Sequence, residues 1–420
     1  MNTTVILGSG LIGVATAYYL SEHQIPSTIH LVDPSPELFS SASGFAGGFL
    51  AKDWFAPQSA SLGLLSFSEH QKLAEQNDGR AKWGYTKSST FSHSHVPVTL
   101  AGKRGDDWLR TGQSRAQVVT AVESDDGTGN GRPPWLRQVE GDDVHLISEE
   151  GTTGLVDPLR LCQFLLQTCL DRGVRLHHPA KVISVRTDAR HGEIGSVRVA
   201  ETTSSTETDL PCTHLLIAAG AWSPRVFAEL FPRASVRLPI SSLAGHSLVF
   251  RPPQVPRGDP EPVSYSVYST TEDGWSPELY ARLDGNIYIA GINSATEPLP
   301  PLPSDAVIDA AKIRKLKETA GRMVSSFDQE GNGADLEVVR EGHCFRPVSD
   351  AGVPILARIP DADLGIGVRT RPGPEGGVYV AAGHGPWGIT LGLGTGKVMA
   401  EMMQGRRLSA DVSGLGLPYR

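Results

Sequence analysis

The sequence has no apolar run that approaches the ~20 residues required by a membrane-spanning helix, so we expect no membrane span. Cysteine is also scarce. The four cysteines, Cys162, Cys169, Cys212 and Cys344, have a spacing that fits neither a disulfide framework nor a zinc site. We therefore expect a protein of a reducing compartment that binds no metal.

No excess of positive charge marks the chain. With 38 Lys and Arg against 46 Asp and Glu, its net charge is −8, and both signs are spread along it. This argues against nucleic acid or an anionic membrane as the main partner. The opening "MNTTVILGSG" has no charged leader region and the closing "LPYR" is no peroxisomal address, so we expect a cytoplasmic protein. A length of 420 residues predicts two domains.

The most specific pattern lies near the N-terminus. An apolar segment, Val5 to Leu7, is followed by Gly8-x-Gly10-x-x-Gly13 and then by the pattern of a helix. A second apolar segment, "TIHLVD", ends on Asp33. This order of strand, glycine turn, helix, strand and acid is typical of dinucleotide-binding folds.

Each residue of this pattern has a physical role. Gly8 allows the tight turn, Gly10 allows the backbone to approach a pyrophosphate, and Gly13 allows the helix to pack on the strand. Asp33 can accept hydrogen bonds from a ribose diol, which favours an adenosine without a 2′-phosphate. The pattern therefore predicts a dinucleotide cofactor.

Small residues follow the second strand in "SSASGFAGGFLAKDWF", Ser40 to Phe55. Such a loop suits an extended cofactor, whereas a nicotinamide enzyme usually continues with further βα units. The stretch resembles the FAD-dependent amino-acid oxidase superfamily, which includes glycine oxidase, monomeric sarcosine oxidase and D-amino-acid oxidase. Its segment "GFAGGFLAKDW" is more similar still to a group of fungal and plant FAD oxidoreductases within that superfamily.

Further segments resemble the family in the expected order along the chain. They are "GLVDPLRLCQFLLQTCLDRGVRLHHPAKVISV", "HLLIAAGAWSP", "SPELYARLDGNIYIAG" and "GHCFRPVSDAGVPILARIP". The resemblance implies FAD as cofactor, bound by residues of these segments and of both glycine-rich ends: Gly8, Gly10, Leu11, Ile12, Gly13, Asp33, Pro34, Ser41, Ser43, Gly47, Gly48, Val182, Ala219, Gly220, Trp222, Cys344, Arg346, Gly385, Pro386, Trp387, Gly388, Ile389 and Thr390.

Glycines are dense in "GHGPWGITLGLGTGK", Gly383 to Lys397. The last four letters look like part of a phosphate loop, but Leu391 stands where that motif needs its first glycine, and Val398 replaces its Ser or Thr. We expect the strand "GGVYVAAG" to lead through glycines into a helix formed by "GTGKVMAEMM". The resemblance places the flavin ring against these glycines, with the positive helix start directed at its N1–C2=O edge.

Arg346 is the first candidate for substrate binding. In glycine oxidase-like relatives the matching arginine holds the substrate carboxylate, and a planar guanidinium suits this because it meets both oxygens. The alternative is a structural ion pair with a nearby acid such as Asp350. The reaction itself needs orientation and desolvation of a neutral amine, so we name no general base.

Glu278 and Tyr280 lie in the segment that resembles the floor of the family's active site. Tyr280 could hydrogen-bond a carboxylate, but Glu278 falls closer to the position of the glycine oxidase tyrosine. A glutamate there would repel a simple amino-acid carboxylate or attract a second amine. Phe49 and Trp387 are candidates for walls of the pocket, with ordinary core packing as the alternative.

Cys344 lies close to the position where sarcosine oxidases attach flavin covalently. Many relatives with noncovalent FAD also have a cysteine before "FRP", so we expect noncovalent FAD and keep a link through Cys344 as the alternative. His246 is expected to be a strand histidine rather than a catalyst. The strand "NIYIAG" has no lysine where sarcosine oxidases place the one that promotes reaction with oxygen, so oxidase and dehydrogenase both stay open.

The resemblance implies a Rossmann-like α/β FAD-binding domain and a mostly antiparallel substrate domain, as in the glutathione-reductase type. We expect residues 1–85, 150–232 and 335–420 to form the first, and residues 86–149 and 233–334 to form the second. An amphipathic helix is predicted from about Ala306 to Phe327.

The expected function is oxidation of the C–N bond of an amino acid or related amine to an imine, by hydride transfer to flavin N5, with O₂ as acceptor. The alternatives are a tailoring enzyme for a bulky natural-product amine and an FAD-fold protein with a regulatory or trafficking role. The sequence leaves the substrate, its handedness and the oligomeric state open.

Overall fold

The computed structural model describes residues 2–94, 132–188, 192–252, 264–271, 275–324 and 336–418. Its strands are β1 (Thr4–Leu7), β2 (Ile29–Val32), β3 (Phe49–Ala51), β4 (Thr86–Ser94), β5 (Asp143–Leu146), β6 (Thr153–Leu155), β7 (Arg175–His177), β8 (Ala180–Thr187), β9 (Ile194–Glu201), β10 (Glu207–Pro211), β11 (His214–Ile217), β12 (Ile240–Arg251), β13 (Ser264–Thr270), β14 (Glu278–Ala281), β15 (Ile287–Ser294), β16 (Glu337–Ser349), β17 (Ile355–Ile359) and β18 (Gly377–Ala382). Its α-helices are α1 (Leu11–Leu20), α2 (Ala42–Phe45), α3 (Pro57–Asn77), α4 (Gly79–Trp83), α5 (Pro158–Arg172), α6 (Ser223–Leu230), α7 (Ala310–Met323), α8 (Asp361–Leu364) and α9 (Gly388–Met403).

A six-stranded sheet in the order β17-β18-β11-β1-β2-β7 forms the first half of the fold. All neighbouring pairs are parallel except β17 with β18. The strands β1, β2, β11 and β18 are buried along their whole length, as the apolar segments predict for a sheet covered on both faces. The predicted Rossmann-like fold is confirmed.

Helix α9 begins at Gly388, six residues before the predicted "GTGK" start, so this boundary was predicted wrongly. Its internal glycines act as packing positions. A side chain on Gly392 would collide with Leu11 of α1, and one on Gly396 with the backbone of Ala15. Close contact with α1 therefore outweighs the low helix propensity of glycine.

Lys397, the lysine of the apparent phosphate loop, has a structural partner. Its Nζ lies 2.7 Å from Oε1 of Glu69 on α3, and Tyr19 on α1 donates a hydrogen bond to Oε2 of the same carboxylate at 2.9 Å. The lysine thus joins α9 to α3 and α1, which agrees with the conclusion that the motif is no phosphate loop.

A second, larger sheet has the order β16-β12-β15-β14-β13-β4-β6-β3, with β5 paired to β4. Its pairs are antiparallel except β13 with β4, as expected for the second domain. Strands β3, β6 and β16 come from segments that we assigned to the cofactor domain, yet they join this sheet. Through these three strands the chain passes between the first sheet and the second. A separate three-stranded sheet has the order β10-β9-β8.

Helix α7 covers the second sheet and is shorter than predicted. It begins after Asp309, whose side chain accepts hydrogen bonds from the N–H groups of Ala311 and Lys312, and it ends at Met323. The last residues of the predicted helix, 325–327, lie outside the described residues, as do residues 95–131 of the predicted second domain. No helix in the described ranges has both the length and the apolar character needed to cross a membrane.

Candidate functional site

A cavity of about 250 Å³ runs between the two sheets and is partly open to solvent. The carboxyl ends of β1, β2 and β11 meet at one wall, through Leu7, Val32 and the residue after β11, Ala218. Ligands of open parallel sheets bind at this edge because the loops that follow the strands converge there. The opposite wall comes from β16 of the second sheet.

The first glycine turn has the predicted geometry. Gly8 has a φ of +102°, a left-handed conformation that favours glycine, and its N–H donates to Val32 at 2.9 Å. A side chain on Gly13 would collide with the carbonyl oxygen of Gly8, so Gly13 allows α1 to pack on the turn. Gly10 lines the cavity where α1 begins, with its Cα facing Ser43 Oγ. The positive end of α1 therefore points into the cavity.

Asp33 follows β2 and lines the same part of the cavity. Its carboxylate accepts hydrogen bonds from the backbone N–H groups of Ser9, at 2.8 Å, and Ser35, at 3.0 Å. Burial raises the pKa of Asp33, and these two hydrogen bonds oppose the rise. The acid is thus fixed in position with lone pairs left for a hydroxyl of a ligand.

Most residues predicted to bind the cofactor line this cavity. The lining members of that set are Gly8, Gly10, Leu11, Ile12, Asp33, Pro34, Ser41, Ser43, Val182, Ala219, Gly220, Trp222, Cys344, Arg346, Gly385, Pro386, Gly388 and Ile389. The other five, Gly13, Gly47, Gly48, Trp387 and Thr390, lie behind the lining.

Three of those five support the wall from behind. Gly48 has a φ of +96°, and a side chain there would collide with the carbonyl oxygen of Val156. A side chain on Gly47 would collide with the ring of Tyr280. Thr390 donates a hydrogen bond to the backbone oxygen of Phe49 at 2.8 Å, which joins α9 to β3.

Gly220 and Gly385 give the cavity its width. Both have a φ of +56°, and no atom lies within 4 Å of the position that a Cβ would occupy. Gly385, Gly388 and Ile389 lie at the start of α9, so the positive end of a second helix also points into the cavity. The contact of these glycines with the flavin ring stays a prediction.

A proline-rich segment covers part of the cavity and was not predicted to do so. Pro301, Leu302 and Pro303 line it. The segment is held by Trp222, whose Nε1–H donates to the carbonyl of Pro300 at 2.8 Å. The sequence did not indicate this cover, because hydrogen bonds to proline carbonyls leave no local sequence signal.

Arg346 lies on β16 and lines the cavity. Its Nη1 donates to Oδ1 of Asn293 at 2.6 Å, and its Nη2 lies 4.0 Å from Oε1 of Glu278. Gly245 lies on β12, between β16 with Arg346 and β15 with Asn293, and a side chain there would collide with the guanidinium. Asn293 and Gly245 are site residues that sequence analysis missed.

Glu278 and Tyr280 lie on β14, next to the arginine. Tyr280 donates a hydrogen bond to Oε2 of Glu278 at 2.7 Å, and its hydroxyl lies 3.1 Å from that of Tyr268. Burial raises the pKa of Glu278, while the charge of Arg346 and the hydrogen bond from Tyr280 oppose the rise. The acid and the arginine therefore face one another in a site shielded from bulk water.

The remaining wall candidates pack in aromatic groups behind the cavity. Phe49 stacks on Tyr280, with ring centroids 5.8 Å apart, and contacts Trp54 at 5.2 Å. Trp387 makes an edge contact with Phe55 at 5.0 Å. Phe49 and Trp387 are both buried, and their role as walls of the pocket stays a prediction.

Cys344 lines the cavity and is buried. Burial raises the pKa of its thiol, although the charge of Arg346 acts in the opposite direction. The thiol form is therefore favoured at neutral pH, and the thiolate is the nucleophilic form of cysteine.

One group of described side chains could hold a metal ion. Ligand atoms of His246, Glu297 and His343 lie within 4.8 Å of one another. However, His246 Nε2 accepts from the N–H of Asp309 at 3.1 Å, and Glu297 pairs with both His343, at 2.9 Å, and Lys312, at 2.8 Å. Because an ammonium group already neutralises the carboxylate, we interpret the group as a network that holds α7 on the sheet, which matches the structural role expected of His246.

The cavity fits a dinucleotide on its own geometry. Two helix starts point into it, Asp33 is fixed at the end of β2, and Gly220 and Gly385 leave open the space that side chains would fill. Ser9 Oγ is buried beside the first turn without a hydrogen-bond partner among the described residues. These features define a dinucleotide-binding site with an arginine in its lining.

Comparison with known proteins gives the family. The model of the family described as "FAD dependent oxidoreductase" (DAO) matches residues 3–402, so this chain belongs to that family and its cofactor is FAD. The chain is 30% identical to "Putative oxidoreductase C1F5.03c" of Schizosaccharomyces pombe, over 97% of this chain and 96% of that one. It is 22% identical to "Putative oxidoreductase TDA3" of Saccharomyces cerevisiae, over 98% and 93% of the two chains.

Solved structures share the fold at lower identity. Glycine oxidase from Geobacillus kaustophilus matches with a TM-score of 0.69 and 19% identity, over 99% of this chain and 98% of that one. Iminodiacetate oxidase from Chelativorans sp. BNC1 matches with a TM-score of 0.69 and 18% identity, over the same shares. The predicted family and fold class are thus confirmed.

Proposed function

We propose that this protein oxidises the C–N bond of an amino acid or related amine to an imine, with O₂ as the electron acceptor. The observation that supports this best is the position of Arg346. It lines the same cavity as the start of α9, so a substrate anion held by its guanidinium lies beside the space for the flavin ring.

The protein's own residues act by binding and orientation. When bound, FAD supplies the hydride acceptor at its N5 atom. Arg346 is held by Asn293 and by the backbone at Gly245, so its guanidinium meets the substrate without first losing conformational freedom. The start of α9 stabilises negative charge at the adjacent edge of the cofactor site.

Exclusion of water is the second contribution. The aromatic side chains behind the cavity, Phe49, Trp54, Tyr268 and Tyr280, are all buried. A dry pocket favours the neutral amine, the form whose nitrogen lone pair assists departure of the hydride from the α-carbon. We assign no general base to the site.

FAD is proposed to bind without a covalent bond. The raised pKa of the Cys344 thiol disfavours the thiolate that attack on the flavin would require. Noncovalent contacts with the lining residues, among them Asp33 and Arg346, supply the affinity.

The test is an aerobic and anaerobic assay of the purified holoprotein with both enantiomers of a panel of amino acids, N-methyl amino acids and diamines. The proposal expects one class to reduce the flavin without oxygen and to yield H₂O₂ with oxygen. Reduction without H₂O₂ would retain the amine substrate and replace O₂ with another acceptor. Absence of reduction by every amine would contradict the proposed function.

A further inference from the structure

Arg346, which lines the cavity, and Glu278, which lies behind the lining residues, form a pair of opposite charges with Nη2 and Oε1 4.0 Å apart. We propose that Glu278 is a specificity-determining residue that excludes substrates whose only charged group is a carboxylate. The substrate then has a second, cationic nitrogen that contacts Glu278, as in a diamino acid. This inference rests on the proposed function, because it concerns the same pocket.

The two terminal nitrogens of Arg346 have different surroundings. Nη1 is engaged by Asn293 at 2.6 Å, and the backbone at Gly245 lies against it. Nη2 faces Glu278, at a distance too long for a hydrogen bond. A ligand that binds Arg346 through Nη2 therefore approaches the glutamate.

The two carboxylate oxygens of Glu278 also differ in their partners. Its Oε2 accepts the hydrogen bond from Tyr280, whereas Oε1 has Nη2 of Arg346 as its nearest ion-pair partner in the described part of the chain, at 4.0 Å. The side chain is mostly buried, with 13% of its surface exposed. Oε1 thus has the capacity to accept a hydrogen bond from a ligand.

An anion bound to Arg346 lies close to the charge of Glu278. A ligand oxygen that accepts from Nη2 at about 2.9 Å lies within about 7 Å of Glu278 Oε1, because Nη2 itself lies 4.0 Å from that atom. In a shielded site, repulsion over such a distance weakens binding by roughly tenfold or more. A ligand with a cationic nitrogen in the same space binds more tightly by a similar factor, and this nitrogen donates a hydrogen bond to Oε1.

The experiment compares ligands that differ in charge but little in shape. Benzoate serves as the simple anion, and its dissociation constant is read from the change in the visible spectrum of the bound flavin. Lysine and norleucine, each as both enantiomers, serve as the reactive pair, because they share a chain length and differ in the terminal ammonium. Their rates of anaerobic flavin reduction are measured on the holoprotein.

The variants are Glu278→Gln and, as a matched control, Glu341→Gln. Glu341 is a half-buried carboxylate on β16 whose ion-pair partner is Lys317, whereas that of Glu278 is Arg346. We expect Glu278→Gln to bind benzoate at least tenfold more tightly than the wild type, and Glu341→Gln to match the wild type. We also expect wild-type protein to react at least tenfold faster with lysine than with norleucine, and Glu278→Gln to lose that preference.

The outcomes separate this inference from the proposed function. The inference would be overturned if the wild type and Glu278→Gln had the same dissociation constant for benzoate. It would also be overturned if neither protein bound benzoate. Equal rates for lysine and norleucine in the wild type would also overturn it, even if the variant does not fold, while leaving amine oxidation intact. A large effect of Glu278→Gln on benzoate binding, with no amine reducing the flavin, would support the charge filter and refute the proposed function.

Discussion

The carboxylate of Asp33 accepts a hydrogen bond from the backbone N–H of Ser9 at 2.8 Å, which joins the end of β2 to the turn after β1. The turn and the acid are therefore positioned together, before any ligand binds. A pre-organised site of this kind loses less conformational entropy on binding, which favours tight retention of the cofactor.

Gly10→Val is expected to give protein with little or no bound flavin. A Cβ at Gly10 would already lie 2.9 Å from Ser43 Oγ, and the branched side chain would fill the space at the start of α1. The ratio of flavin absorbance to protein absorbance after purification checks this. Gly195→Val is the control, because Gly195 is exposed on β9 and has no atom near its Cβ position. Normal flavin content in Gly10→Val would refute the assignment of the first turn.

Arg346→Lys is expected to lower kcat/KM for a carboxylate-bearing substrate by tens to hundreds of times. The ammonium cannot reproduce the planar fork, a loss of about 2–3 kcal/mol. Steady-state kinetics check this, with Arg251→Lys as control because that residue forms a surface ion pair with Glu337. A change below twofold in Arg346→Lys would show that the substrate does not bind this arginine.

The binding of simple anions should depend on pH through Glu278. Burial raises its pKa, so the group gains its charge at a higher pH than an exposed glutamate, and anion binding weakens as pH rises through that value. Of the other groups that face it, Arg346 stays charged, and burial raises the pKa values of Tyr268, Tyr280, Tyr288 and Cys344. Benzoate titrations over the acid-to-neutral range check this. A pH-independent dissociation constant, or the same slope in Glu278→Gln, would contradict it.

Denaturation of the wild-type protein is expected to release all of its flavin into solution, because burial raises the pKa of the Cys344 thiol and disfavours the thiolate that a covalent bond would require. Cys344→Ser should release flavin in the same way and keep its flavin content. Separation of denatured protein from free flavin measures both. Flavin that stays with wild-type protein but leaves Cys344→Ser would establish the covalent alternative.

Trp222→Phe is expected to speed the dissociation of FAD by about fivefold. The substitution removes the hydrogen bond of Nε1 to the carbonyl of Pro300, worth about 1 kcal/mol, and loosens the proline-rich cover. Recovery of flavin fluorescence after dilution gives the rate. Trp275→Phe is the control, since Trp275 lies under Lys315 and does not line the cavity. Equal rates in all three proteins would show that the cover does not retain FAD.

The parts of the fold that sequence predicted are local in the chain. The strand, turn and helix around Gly8 and Gly13 are specified by neighbouring residues, and so is the acid at the end of β2. The residues predicted to bind the cofactor, most of which line the cavity, were chosen from segments that resemble one family in a fixed order. Such features need no knowledge of which distant strands pair.

The surroundings of Arg346 were not predictable in this way. Its partner Asn293 comes from a different strand, and the two side chains meet because Gly245 leaves room for them. Nearness in sequence suggested Asp350 as a partner, but that residue lies past the end of β16. The start of α9 was missed for a similar reason, because its glycines are set by contacts with α1 rather than by local preference.

The anaerobic visible spectrum of the purified holoprotein, titrated with amino acids, N-methyl amino acids and diamines, tests the central claim most directly. The account predicts a yellow protein that loses its visible absorbance with an amine that also bears a carboxylate, and most readily with one that has a second amine for Glu278. A yellow protein that none of these amines bleaches would contradict it.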